Sequence, residues 1–174
     1  GYFWDSLRSV QHLIISNLSY NLWVMLPRLQ ASKRFLNSLK SFHLEVSIPI
    51  STIHENIPQV TLQILLKNQD LLKYVTHLKF SGFQQFHYYG TQVKSILDCC
   101  TSLIFLSFPV GTDFNRPDIG HLSLAPLKTL QSVRILTIRV DDNWSFIEAF
   151  EFPRSLQKLV LHLENQFSWF EVWH

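Results

Sequence analysis

The stretch that decides the fold is Ser155-Leu-Gln-Lys-Leu-Val-Leu161, whose apolar residues Leu156, Leu159 and Leu161 stand at spacings of three and then two. Residues two apart on a strand share one face, so Leu159 and Leu161 point together while Lys158 and Val160 point the other way. Leu156 turns the chain into that strand. The same frame, apolar-x-x-apolar-x-apolar, stands five more times upstream: Val10/Leu13/Ile15, Leu39/Phe42/Leu44, Val75/Leu78/Phe80, Leu103/Leu106/Phe108 and Val133/Leu136/Ile138. The six starts, at 10, 39, 75, 103, 133 and 156, are separated by 29, 36, 28, 30 and 23 residues. In a chain that is 47% hydrophobic one such match is cheap. Six in order at near-constant spacing predict a repeating unit.

One short strand cannot bury its apolar face alone. Stacked at roughly 4.8 Å as a parallel sheet, the six strands make one continuous core. Parallel neighbours need a crossover, and the segments between frames supply apolar stripes for it. Leu26, Leu29 and Phe35/Leu36 form the first, with Pro27 as a first-turn residue. Thr52-Ile53-His54-Glu55 fits a capping box ahead of Val60, Ile64 and Leu65, and the long second interval implies an insertion around Ile48 to Ser51. Phe86, Tyr89, Val93, Ile96/Leu97 and Cys100 form the cleanest helical stripe. Gly111 to Gln131, with Pro117, Gly120 and Pro126, reads as a loop with a short helix. Asp142 is placed to cap a brief helix carrying Phe146, Ile147 and Phe150 before Pro153. Four of the five intervals lie within the roughly 20–29 residues of leucine-rich repeats or one residue beyond. The expected fold is α/β: a leucine-rich-repeat solenoid of about six repeats with a curved parallel sheet and helices or loops outside, one domain over 1–174.

At 174 residues the chain is long enough for a real core, and with 14 Phe, 5 Trp and 16% charged residues it is not a disordered one. So low a charge also implies apolar surface that more chain or a partner covers. A formal net charge of +2 with no Lys/Arg run argues against nucleic acid. Leu22 to Leu26 is too short to span a bilayer, and no membrane association is expected. The two cysteines, Cys99 and Cys100, are adjacent and cannot staple distant loops, so a reducing, intracellular compartment is expected. An apolar opening, Tyr2-Phe3-Trp4, without a starting Met reads as a piece of a longer chain, and the tail Phe167, Trp169, Phe170 and Trp173 reads as a raw solenoid end.

Ser95-Ile-Leu-Asp-Cys-Cys-Thr-Ser-Leu-Ile-Phe-Leu-Ser-Phe108 resembles the helix-to-strand junction of F-box leucine-rich-repeat proteins, in which a helix ends near a cysteine and the Leu-x-x-Leu-x-Leu strand follows. The irregular repeats and Phe-rich strands are similar to the divergent repeats of fungal F-box proteins. The Asn or Cys usual three residues past each frame is replaced by Leu18, Ser47, Phe83, Gly111, Asp141 and Glu164. The resemblance implies the substrate-recognition domain of an F-box-type subunit of a cullin–RING (SCF) ubiquitin ligase, cytoplasmic or nuclear. Its ligase adaptor subunit would be reached through an F-box outside this chain. The alternative is a leucine-rich-repeat scaffold or assembly component with no ubiquitin role.

On this frame the outward strand positions make three rows. The first is His12, Ser41, His77, Phe105, Ile135 and Lys158; the second Ile14, His43, Lys79, Ser107, Thr137 and Val160; the third Ser16, Glu45, Ser81, Pro109, Arg139 and His162. On a curved solenoid they line the concave face, where a protein target is expected to sit. The expected contact residues are His12, Ile14, His43, Glu45, His77, Lys79, Phe105, Ile135, Thr137, Arg139, Lys158, Val160 and His162. Phe105, Ile14, Ile135 and Val160 would be apolar anchors within a polar rim. His12, His43 and His77 fall on three successive strands but alternate between rows with no Cys or carboxylate cluster beside them, so no metal and no cofactor are expected. Cys99 and Cys100 close an amphipathic helix and read as structural, one of them in the core. No nucleophile elbow, phosphate loop or zinc-protease helix is present, and the expectation is a binding protein, not an enzyme.

Overall fold

The computed structural model describes residues 2–7, 9–16, 24–47, 57–81, 90–110, 130–140, 152–163 and 169–173. In chain order these form α1 (Tyr2–Asp5), β1 (His12–Ile15), α2 (Met25–Ala31), α3 (Lys33–Ser38), β2 (Ser41–Ser47), α4 (Ile57–Lys67), α5 (Gln69–Leu72), β3 (His77–Ser81), α6 (Gly90–Cys99), β4 (Phe105–Val110), β5 (Ile135–Val140), β6 (Lys158–Leu163) and β7 (Trp169–Trp173). The strands make one sheet in sequential order, β1 to β6 all parallel. The arrangement is α/β and compatible with a solenoid-like fold.

All six frames land on strands. The last two apolar residues of each frame point to one side, and in β2 burial alternates strictly along the strand. Phe42, Leu44, Leu78, Leu106, Leu136 and Ile138 are each no more than 1% exposed. They share a single core cluster with the helices: Leu26 and Leu29 of α2, Phe35 and Leu36 of α3, Leu62 and Leu65 of α4, Leu71 and Leu72 of α5, and Ile96 of α6. Helices therefore cover one face of the sheet, as parallel crossovers require. The stripe around Leu26 to Leu36 is divided into two helices at Ser32, whose hydroxyl donates to the Arg28 carbonyl at 3.1 Å. Buried Asn68 separates α4 from α5 and donates from Nδ2 to the Ile64 carbonyl at 2.8 Å. Helix α5 has no counterpart in the expected elements. The capping box at 52–55, the insertion at 48–51, the loop at 111–129 and the helix around 146–150 lie outside the described residues, as do Phe86 and Tyr89.

The turn into each strand repeats as closely as the strand does. The first apolar residue of the frame donates its N–H three residues back: Val10 to Leu7, Leu39 to Leu36, Val75 to Leu72, Leu103 to Cys100 and Leu156 to Pro153. Immediately before that residue five of the six frames carry serine: Ser9, Ser38, Ser102, Ser132 and Ser155. Ser132 Oγ donates to the Leu103 carbonyl at 2.7 Å, and Ser155 Oγ to the Val133 carbonyl at 2.7 Å. Ser132 and Ser155 thus each satisfy the carbonyl that opens the preceding frame. One further carbonyl per rung accepts two N–H groups from the next: Gln11 from Lys40 and Ser41, Thr76 from Ile104 and Phe105, Ile104 from Arg134 and Ile135, Arg134 from Gln157 and Lys158.

That last pattern is broken once, between β2 and β3. There Phe42, not Lys40, pairs with Thr76: the Thr76 N–H donates to the Phe42 carbonyl at 2.9 Å, and the Phe42 N–H donates to Thr76 Oγ1 at 3.0 Å. The register consequently slips two residues, with His43 opposite His77 and Glu45 opposite Lys79. The expected pairing of Ser41 with His77 and of His43 with Lys79 is corrected by this slip. Because the slip is even, every side chain keeps its face.

The tail is not raw. β7 returns antiparallel to β6, with Leu161 opposite Phe170 and His162 opposite Trp169. An antiparallel return needs only a short connection, whereas a further parallel strand needs another crossover. It occupies the outer edge of β6 with the chain's own backbone.

Candidate functional site: the outward face of the sheet

The slipped register rebuilds the rows. The longest runs Ile14, His43, His77, Phe105, Ile135, Lys158, each opposite the next across the parallel sheet. The row above it runs Glu45, Lys79, Ser107, Thr137, Val160, and Arg139 and His162 stand opposite each other beyond it. His12 stands apart in a lower row with Ser41, its Nδ1 at 2.7 Å from Ser41 Oγ. The histidines expected to alternate between rows therefore separate differently: His43 and His77 come together and His12 does not join them.

His43 and His77 stack with ring centroids 3.8 Å apart and planes 25° from parallel. Phe105 continues the stack at 5.7 Å and 24° from His77. Cross-strand pairs of flat rings pack well on a pleated surface. Thr76, which no frame position marked, holds the stack from below. Its Oγ1 donates to the Phe42 carbonyl at 3.1 Å and lies 2.9 Å from His77 Nδ1. The residue that causes the register slip thus also fixes one ring of the stack.

Both stacked rings are held below the ordinary histidine value of 6.5. Burial is the larger cause for each, followed by the charge of His12 for His43 and of His43 for His77. At neutral pH the stack is uncharged. Above it, Lys79 Nζ meets Glu45 Oε1 at 2.8 Å, and Ser81 Oγ donates to the same carboxylate oxygen at 3.4 Å. A groove of about 280 Å³ lies over this half of the row, lined by Ile14, His43, His77, Phe105 and the Glu45–Lys79 pair. That is just below the roughly 300–1,000 Å³ of small-molecule sites and suits one or two side chains of a partner.

The other expected contact residues are distributed less favourably. Ile14 is 65% exposed on the first strand. Ile135, Thr137 and Lys158 are half-buried and His162 is exposed, while Arg139 holds its register position with its side chain outside the described residues. Val160 keeps its outward position opposite Thr137, but at 9% exposure it contributes little surface. Leu159, on the core side, is only partly buried. Away from the sheet face, Cys100 sits in the core with its thiol pushed up to about 12 by burial and then by Cys99. The Cys99 thiol is raised by burial, then by Asp98 and Asp70. Neither is a ready thiolate. Among the described residues no group of three or more His, Cys, Asp or Glu is placed to hold a metal ion, and no helix is long and apolar enough to cross a membrane.

Comparison with family models, with curated proteins and with solved structures finds no match for the chain.

Proposed function

We propose that this chain is a protein-binding domain of the leucine-rich-repeat type that holds a protein target on the outward face of its sheet. In that role it serves as the substrate-recognition part of an F-box-type subunit of a cullin–RING ubiquitin ligase inside the cell. The observation that carries the binding reading is the row Ile14, His43, His77, Phe105, Ile135. It is a continuous run of apolar and aromatic side chains left partly open to solvent, while the helices lie against the other face. Open apolar rows bordered by polar groups mark interaction surfaces. The ubiquitin reading is supported by the likeness of Ser95–Phe108 to an F-box-protein junction. The domain does no chemistry: it positions a target for a transfer machine whose adaptor contacts a segment outside these residues.

Affinity purification of the full-length protein tests both levels. A ligase adaptor and enriched targets are expected, with targets lost and adaptor kept in a Phe105→Ala/Ile135→Ala variant. Targets without adaptor would leave a scaffold and remove the ubiquitin role.

A further inference from the structure

The groove over the histidine stack offers its polar groups unevenly. Its carboxylate, Glu45, is paired through Oε1 with Lys79 Nζ at 2.8 Å and accepts there from Ser81 Oγ at 3.4 Å. Its imidazoles are less committed. His77 engages Thr76 through Nδ1 at 2.9 Å, and neither ring nitrogen of His43 has a hydrogen-bond partner among the described residues. A cationic group entering the groove meets, among the described lining residues, one carboxylate, Glu45, whose charge is already paired with Lys79. An anionic group meets imidazole nitrogens, with Lys79 half-exposed beside them.

We infer that the groove takes an acidic segment of a partner protein, a carboxylate settling on the His43–His77 pair while an adjacent apolar side chain lies between Ile14 and Phe105. This rests on reading the outward face as a partner surface and adds the chemistry of what it selects. The titratable and charged groups facing the pair are His12 from β1, Glu45 from β2 and Lys79 from β3; β4 presents Phe105 and Ser107, which carry no charge. A carboxylate at the pair favours the imidazolium form, against the burial that keeps the free rings neutral. Binding is therefore coupled to proton uptake. With centroids 3.8 Å apart the two rings titrate as a pair, the first proton opposing the second. A rise of about one unit in the first of these ionisations makes binding about tenfold tighter on the acid side of the transition.

The test uses the full chain and a short fluorescein-labelled peptide of Glu and Asp around a central Leu-Phe, read by anisotropy at pH about 7.5 and about 5.5. The expected result is binding that tightens about tenfold at the lower pH, with proton uptake seen by calorimetry in buffers of different ionisation enthalpy. A His43→Gln/His77→Gln variant, shown by its melting curve to be folded at both pH values, should lose that tightening and the proton uptake. A matched peptide with Lys for each acid should bind more weakly. Equal binding of the two peptides, or an unchanged pH response in the glutamine variant, overturns the proposal. Equal binding of single-stranded poly-dT would show a general polyanion surface and overturns the assignment to a protein segment. If the acidic peptide fails while Phe105→Ala/Ile135→Ala still abolishes target capture, the face remains a partner surface and only the acidic selectivity falls.

Discussion

Truncating Leu106 should cost far more than truncating its sequence neighbour Ser107. Leu106 is fully buried in β4, between Leu78 and Leu136 of the adjacent strands, both also fully buried. Leu→Ala in a core costs about 2–5 kcal/mol, growing with the cavity that the surroundings fail to close. Here the leucines on both sides are held by the ladder and all three belong to one core cluster with the helices, so Leu106→Ala should fall in the upper part, about 3–5 kcal/mol. A domain of this size has about 5–15 kcal/mol in hand, so a wild-type stability above about 6 kcal/mol keeps the variant folded in water. With a urea slope of roughly 1–3 kcal/mol/M its midpoint should drop by roughly 1–5 M. Ser107 is half-buried on the opposite face, and its truncation should stay within about 0.5 kcal/mol. Paired urea melts of the two variants, with the slope checked for constancy, read the difference. A Leu106→Ala cost below about 1 kcal/mol, or an equal cost for Ser107→Ala, refutes the division of the sheet into a core face and an outward face.

Other consequences follow from the same geometry. His43 and His77 have depressed values in the folded chain, so below about pH 6.5 the unfolded chain binds more protons. Their contribution to stability is present above that pH and lost as pH falls through the folded values; urea midpoints against pH should show a shallower acid loss in His43→Gln/His77→Gln. Ser132→Ala and Ser155→Ala each remove a hydrogen bond between successive rungs and should cost about 0.5–1.5 kcal/mol in thermal melts, with no loss at all contradicting the serine ladder. A thiol reagent applied at about pH 7.5 to the native protein should label Cys99 well before Cys100. Simultaneous labelling would place Cys100 outside the core.

Much of the fold was legible because the frame couples two periods. A pair of apolar residues two apart dictates the face of each strand, and a third residue upstream dictates the turn, so Leu78/Phe80 and Leu136/Ile138 could be oriented without knowing their neighbours. The serine at the head of five frames carried further information that apolar spacing does not register, since at Ser132 and Ser155 its work is a hydrogen bond to the rung before. The β2–β3 slip was hidden for a different reason. Phe42, Leu44 and Val46 are all apolar and all inward, so the pattern in β2 permits two registers that differ by two residues and bury the same faces. Thr76 selects between them through a hydroxyl bond to Phe42, and only that choice brings His43 onto His77. The candidate site was thus legible as a face but not as a cluster. The partial burial of Leu159 and the covering of Val160 were also beyond the frame, which assigns direction and not depth. Leu136→Asp is accordingly a substitution that places an unpaired charge in the fully buried core, whereas Leu159 is only partly buried.

The most direct measurement is target capture by full-length protein carrying Phe105→Ala/Ile135→Ala, set beside the wild type and a melting curve of each. The expected result is a domain that still melts cooperatively and no longer enriches its targets. Undiminished capture by a folded variant would contradict the claim that the outward face of the sheet is where this protein acts.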